Sequence, residues 1–272
     1  MKFQKRLDKA INKNNSLLCI GLDPDRKKIP SHLLEQQDPI FEFNKAIIDS
    51  THDLVCAYKP NIAYYSAQGS DGLKSLQETI RYIHNNYADI PVILDAKRAD
   101  IGNTSEKYAL ELFRIFGADA VTVSPYLGFD SIEPFLKHRD KGVIILCRTS
   151  NHGAEDFQDL EINGEPLYIK VAKKIKEWNL QYKNCLMVIG ATWPQQLKEV
   201  RKVTDDIFFL VPGIGSQHGD LENTIRYGVN KKGSGLIISA SRSIIYASSQ
   251  LDFANSARTE ALRLKESINK YR

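Results

Sequence analysis

The chain has 272 residues, a length that suits one large domain or two small ones. Apolar residues make up 42% and charged residues 26%, ordinary globular usage that excludes a disordered or fibrous chain. The 37 Lys and Arg exceed the 33 Asp and Glu by 4, without a basic block or aromatic-basic interleaving, a pattern that speaks against nucleic-acid binding and suits a small anionic substrate.

The first fifteen residues, MKFQKRLDKAINKNN, lack the apolar core of a signal peptide. Phe3, Leu7 and Ile11 fall at helical spacing and predict a short amphipathic helix before the main fold. Short apolar runs then recur as SLLCIGL (16–22), LVCAYK (54–59), PVILDAK (91–97), DAVTVSP (119–125), GVIILCR (142–148), CLMVIG (185–190), IFFLVPG (207–213) and GLIISAS (235–241). Strands buried on both faces read this way. No run approaches the ~20 apolar residues needed to span a bilayer, so no membrane association is expected and the chain reads as cytoplasmic.

Polar stretches with a helical period separate the runs, among them SLQETIRYIHNNY (75–87) and SEKYALELFRIFG (105–117). In the second, Ser105 is expected as the N-cap and Gly117 as the residue just past the helix end. Eight strands with intervening helices, repeating at roughly 30 residues, predict an α/β fold: a (β/α)8 TIM barrel forming a single domain over 1–272. An open doubly wound sheet would carry a glycine-rich turn after its first strand, where this chain reads GLDPDRKKIP. The longest irregular stretch, TSNHGAEDFQDLEINGEP (149–166), follows the fifth strand, where an active-site loop is expected. The tyrosines of AYYSAQG (63–69) are expected to pack the start of the second helix. Cys19, Cys56, Cys147 and Cys185 each lie in a strand-like run and read as packing residues. The six histidines form no pair at metal-ligand spacing, so neither a metal nor a cofactor is expected.

In a βα barrel the chemistry lies at the C-terminal strand ends. There the chain places Asp23, Lys59, Asp95-Ala-Lys97-Arg-Ala-Asp100, Arg148-Thr149-Ser150-Asn151, Pro212-Gly-Ile-Gly-Ser-Gln217 and Ser241-Arg242. Side chains alternate along a strand, so Asp95 and Lys97 are expected to face the barrel mouth together. Asp100 follows the strand and can turn over the rim or toward a neighbouring chain. Charges buried at a barrel top are costly unless paired, and a lysine among carboxylates keeps its proton. PGIGSQ after the seventh strand, with Gly213, Gly215 and Gln217, and Ser241-Arg242 after the eighth, stand where barrels hold a phosphate.

At this point the chain resembles a known family. LDAKRADIGNT (94–104) is similar to the DxKxxDIxxT signature of orotidine 5'-phosphate decarboxylases, and GLDPD (21–25), AYKPN (57–61), VPGIGSQHGD (211–220) and SRS (241–243) match the family's other segments in order. The resemblance implies decarboxylation of orotidine 5'-monophosphate to UMP, the last step of de novo pyrimidine nucleotide synthesis, without cofactor. It places a charged tetrad on Lys59, Asp95, Lys97 and Asp100, with Lys97 as proton donor and Asp95 facing the substrate carboxylate. Asp23 and Lys59 would hold the ribose; Gln217 and Arg242, with Gly213, Gly215 and the Ser241 backbone, the phosphate. Thr149 and Ser150 both stand as candidates for reading the base. The resemblance further implies a homodimer, with Asp100 and Thr104 reaching the partner's site, and a lid at about 214–222.

Two other readings are kept. One is a Mg2+-dependent sugar-phosphate decarboxylase or synthase of the same superfamily, in which an acidic residue is expected near Lys59. The other is a catalytically silent barrel that binds nucleotides, which has no reason to gather Lys59, Asp95, Lys97 and Asp100.

Overall fold

The computed structural model describes residues 2–214 and 220–272. Ten strands occur among them: β1 (Leu18–Leu22), β2 (Ala57–Pro60), β3 (Ile93–Arg98), β4 (Ala120–Val123), β5 (Gly142–Arg148), β6 (Glu161–Ile162), β7 (Glu165–Pro166), β8 (Cys185–Ile189), β9 (Phe209–Pro212) and β10 (Leu236–Ala240). All but β6 and β7 form one parallel sheet, ordered β2-β1-β10-β9-β8-β5-β4-β3. The bridges Tyr58↔Val92 and Asn61↔Asp95 bring its two edge strands together, so the sheet curls into a nearly closed barrel. Each of these eight strands falls on one of the eight apolar runs. They are buried along nearly their whole length, because helices cover one face and the barrel core fills the other.

The amphipathic N-terminal segment forms the helix Phe3–Asn14, with Phe3, Leu7, Ala10 and Ile11 buried. It lies across the end of the barrel where the strands begin. Phe3 N–H donates to Asp140 O at 2.8 Å, and Asn14 Nδ2 donates to His52 O and Val55 O. Gly142 opens β5 beneath this helix; a Cβ there would lie 2.5 Å from Phe3 Cδ1, so a side chain would displace the helix. Burying each of the large apolar side chains contributes about 1.5–3 kcal/mol.

The helical boundaries differ from the sequence pattern in two places. The helix expected over 75–87 runs from Gly69 to Asn86. Its first turns pack so tightly on the helix Ile62–Ser66 that a Cβ on Gly72 would sit 2.0 Å from Tyr65 O. Tyr65 is buried there and donates its hydroxyl to Leu22 O. Ser105 is not an N-cap. The helix starts at Gly102, and Ser105 is buried inside it, its hydroxyl donating 2.7 Å to Ser131 O of the next helix. Gly117 does end the segment, at φ +77°, after a wider turn over Glu111–Ile115.

The stretch 149–166 is more ordered than expected. It holds a 3-10 turn, His152–Asp156, and the antiparallel pair β6–β7. All four cysteines are free and buried, and burial pushes their thiols up, Cys19 to about 12, so they serve as packing groups. Among the described residues no helix is long and apolar enough to cross a membrane.

Candidate active site

Three of the four tetrad residues meet at the C-terminal end of the barrel. Lys59 Nζ lies 3.1 Å from Asp95 Oδ2, and Lys97 Nζ lies 2.7 Å from Asp95 Oδ1. The trio is graded in exposure: the side chains of Lys59 and Asp95 are 7% and 11% exposed, that of Lys97 50%. Lys97 therefore presents its ammonium to the open mouth, while Lys59 holds the carboxylate from below.

The charges sustain one another. Burial raises the Asp95 carboxyl, but Lys59, Lys97 and the Thr122 hydroxyl outweigh it and hold Asp95 well below the usual carboxylate range. Burial likewise lowers Lys59, yet the nearby charges of Asp95 and Asp23 keep it above an ordinary lysine. Two ammonium groups flank the Asp95 carboxylate, and the more exposed of them faces the mouth.

Simple strand alternation does not account for how Asp95 and Lys97 come to face the same space. The register with β4 slips between Leu94 and Arg98, and Lys97 adopts φ +47°. The other non-glycine residues at positive φ, Asn15, Asn163, Lys183 and Asp205, cap helices or sit in a hairpin turn; Lys97 alone of the described ones lies within a strand. Thr122 of β4 fills the slip: its Oγ1 accepts from Ala96 N–H at 3.0 Å and Lys97 N–H at 2.9 Å. Thr122 is not among the residues expected at the site; a lone hydroxyl inside the apolar run AVTV is its signal in the sequence.

Asp100 stands outside the trio. Its Oδ1 accepts from Ile101 N–H at 2.8 Å, and it takes part in none of the ion pairs at Asp95. Thr104 is exposed nearby. Asp23, just past β1, has its Oδ1 shielded from solvent and without a hydrogen-bond partner among the described residues. Such an acceptor is costly until a ligand donates to it.

After β5, Arg148 is turned inward and 1% exposed. It forks onto Asp159 at 2.8 and 2.9 Å, donates to Thr149 O, and lies over the Trp193 ring. This anchors the segment that follows, so the arginine of RTSN fastens the loop. Gln158 completes the anchorage, with Oε1 accepting from Thr149 N–H and Nε2 donating to Thr149 Oγ1. Thr149 Oγ1 in turn donates to Asn151 Oδ1 at 2.6 Å. Ser150 packs against the end of β8, where a Cβ on Gly190 would lie 2.6 Å from Ser150 Cα.

On the same rim, Gly213 follows β9 with φ +98°, and Arg242 opens the helix Arg242–Ile245 directly after β10. Ser241 donates its hydroxyl to Gly21 O, which ties the ends of β10 and β1. The expected phosphate contacts Gly215 and Gln217, and His218 with the core of the expected lid, lie outside the described residues. Among the described residues no three His, Cys, Asp or Glu side chains are gathered as a metal-ligand set.

Known proteins resemble this chain over nearly its whole length. Residues 16–256 match the model of the orotidine 5'-phosphate decarboxylase / HUMPS family. Orotidine 5'-phosphate decarboxylase of Cellvibrio japonicus is 54% identical over 99% of this chain and 98% of its own. The structure of Leishmania donovani OMP decarboxylase superposes with a TM-score of 0.87 at 38% identity, covering 100% of this chain and 98% of that one. Leishmania donovani UMP synthase superposes with a TM-score of 0.89 at 39% identity; the match takes all of this chain and 56% of the longer protein. The chain belongs to the orotidine 5'-phosphate decarboxylase / HUMPS family.

Proposed function

We propose that this protein decarboxylates orotidine 5'-monophosphate to UMP, with Lys97 as the proton donor. The observation that carries the reading is the Lys59–Asp95–Lys97 trio, whose most exposed member faces the mouth on the rim where Arg242 follows β10. Loss of carbon dioxide breaks the bond from C6 to the carboxyl carbon and leaves the electron pair on C6 in the plane of the ring, orthogonal to its π system, which therefore cannot absorb it. A cation beside C6 stabilises that charge and then supplies the proton.

Repulsion between Asp95 and the substrate carboxylate is a small part of the catalysis. One like-charge contact at ~4 Å amounts to about 4 kcal/mol at an effective dielectric of ~20, whereas the largest enzymatic accelerations need roughly 23 kcal/mol. Asp95 is also already flanked by two ammonium groups, which offset its field. Binding energy from the distant phosphate, on Arg242 and the residues after β9, is the larger contributor through orientation and exclusion of water.

Asp23, with its unpartnered Oδ1, takes the ribose together with Lys59. Ser150 reads the base, because the Thr149 hydroxyl is turned into its own loop by Asn151 and Gln158. Two chains form a homodimer in which Asp100 and Thr104 reach the partner's site. In support, Ile101, after β3, and Tyr126 and Leu127, after the neighbouring β4, are exposed apolar residues, with Tyr126 82% exposed. Four free buried thiols suit the reducing cytoplasm.

The test is loss of orotidine monophosphate ultraviolet absorbance in metal-free buffer with excess chelator. Undiminished turnover there is expected; a requirement for Mg2+ would favour a sugar-phosphate enzyme of the same family. UMP binding with no turnover at all would leave a silent nucleotide-binding barrel.

A further inference from the structure

We infer that Thr122 is a positioning residue for the reaction: its hydroxyl holds the β3 bulge that aims Lys97 and fixes the orientation of Asp95. A hydroxyl has one proton to give and two lone pairs to accept with. At Thr122 all three are committed. The lone pairs take the N–H groups of Ala96 and Lys97, and the proton goes to Asp95 Oδ1 at 2.8 Å. The direction of this last bond is forced, because both amides can only donate. Asp95 must therefore accept, through the same oxygen that receives Lys97 Nζ.

The site needs such a brace for a geometric reason. Lys97 sits at φ +47°, a left-handed conformation that disfavours a residue bearing a side chain, and the β3–β4 register is broken there. Thr122 is 1% exposed, so no water stands ready to replace its hydroxyl. Without it, two amides lose their acceptor and the bulge can relax toward regular pairing, which would swing the Lys97 side chain off its line. Thr122 touches neither substrate nor reacting atom. It acts through Lys97 and Asp95, and the inference rests on the reading of Lys97 as proton donor.

The experiment compares Thr122→Val, Thr122→Ser and Thr122→Cys with the unaltered enzyme, measuring kcat, KM and Tm, with assays run well below each Tm. Thr122→Val keeps the shape and removes the hydroxyl; kcat should fall about 10–100-fold while KM changes less than ~3-fold, the mark of a misaimed group in an intact binding site. Thr122→Ser keeps the hydroxyl and should restore kcat to within ~3-fold, even though losing a buried methyl lowers Tm. Thr122→Cys carries a weak donor and acceptor, and its kcat should lie between those two. If the valine protein does not fold, a cysteine enzyme with full kcat overturns the inference, as does a valine enzyme with full kcat. A serine enzyme as impaired as the valine one also overturns it. Failure of the parent reading is visible separately, since an unaltered enzyme that does not turn over orotidine monophosphate removes Lys97's role before any variant is compared.

Discussion

Two buried aspartates sit at opposite ends of neighbouring strands, and each is gripped by two basic side chains. Asp95, at the C-terminal side of β3, receives Lys97 and Thr122 on Oδ1 and Lys59 on Oδ2. Asp119, just before β4, receives Arg6 Nη1 at 2.7 Å on Oδ1, and on Oδ2 both Val92 N–H and His84 Nε2, each at 2.9 Å. The partners of Asp119 come from the N-terminal helix, the helix Gly69–Asn86 and the start of β3, so the cluster fastens the closed end of the barrel. Around Asp95 one partner is left half exposed on a bulge at positive φ. On the proposed mechanism, the same ion-pair chemistry is a rivet at one end and a working group at the other. The difference lies in whether the backbone beneath is regular or held out of register.

Removing the half-exposed member of the upper cluster should abolish chemistry without disturbing folding. If Lys97 is the proposed proton donor, Lys97→Ala removes both the cation at C6 and the proton source, so kcat should fall about 10⁴-fold or more with Tm nearly unchanged. A Lys97→Ala enzyme with near-normal turnover in the ultraviolet assay would take Lys97 out of the mechanism. Asp95→Asn and Asp119→Asn then set the two ends side by side. Asp95→Asn leaves the buried Lys59 without its ion-pair partner, with only the charge of Asp23 near it, a destabilisation of about 3–5 kcal/mol by denaturant titration, with turnover lost as well. Asp119→Asn should weaken the fold by about 1–3 kcal/mol, because Arg6 and His84 are partly exposed and can rehydrate, and should leave kcat and KM alone. Equal loss of activity in both variants would erase the distinction between rivet and working group.

Much of this contrast was legible in the residues. Continuous apolar runs such as SLLCIGL and GVIILCR announced doubly buried strands, and DAK at the end of the third placed a carboxylate and a lysine at the mouth. What stayed hidden depended on contacts far apart in sequence. Thr122 meets Ala96 and Lys97 only because β4 lies beside β3, and the lone hydroxyl in AVTV does not by itself say which bulge in which strand it braces. Ser105 looked like a cap because it precedes a helical pattern; the helix had already begun at Gly102, and packing on Ser131 claimed its hydroxyl. Arg148 looked like a rim residue until Asp159, from the loop after β5, drew it inward.

That loop offers a finer cut. Ser150→Ala should raise KM for orotidine monophosphate about 10-fold, the scale of one lost hydrogen bond to the base. Thr149→Val should change KM less than ~3-fold and lower Tm, since its hydroxyl serves Asn151 and Gln158. The reverse ranking would make Thr149 the reader.

The smallest expected effect is in the acid dependence of stability, and it again sets one aspartate against the other. Burial pushes the Asp119 carboxyl up, but the hydrogen bond and charge of His84, with Val92 N–H and Arg6, outweigh it and hold the group below its ordinary value of 3.8. A carboxyl depressed in the folded state binds its proton more readily when unfolded. Its stabilisation is therefore complete above the unfolded value of about 4 and disappears as pH falls through the folded value. Asp95 is depressed in the same direction, so both carboxylates contribute to the acid limb. Denaturant midpoints followed from pH 6 down toward pH 3 should fall less steeply in Asp119→Asn than in the parent, with kcat at neutral pH unaltered. A parallel fall in both proteins would mean that Asp119 titrates alike in the folded and unfolded chain, and that the contacts at the closed end add no pH-dependent stability.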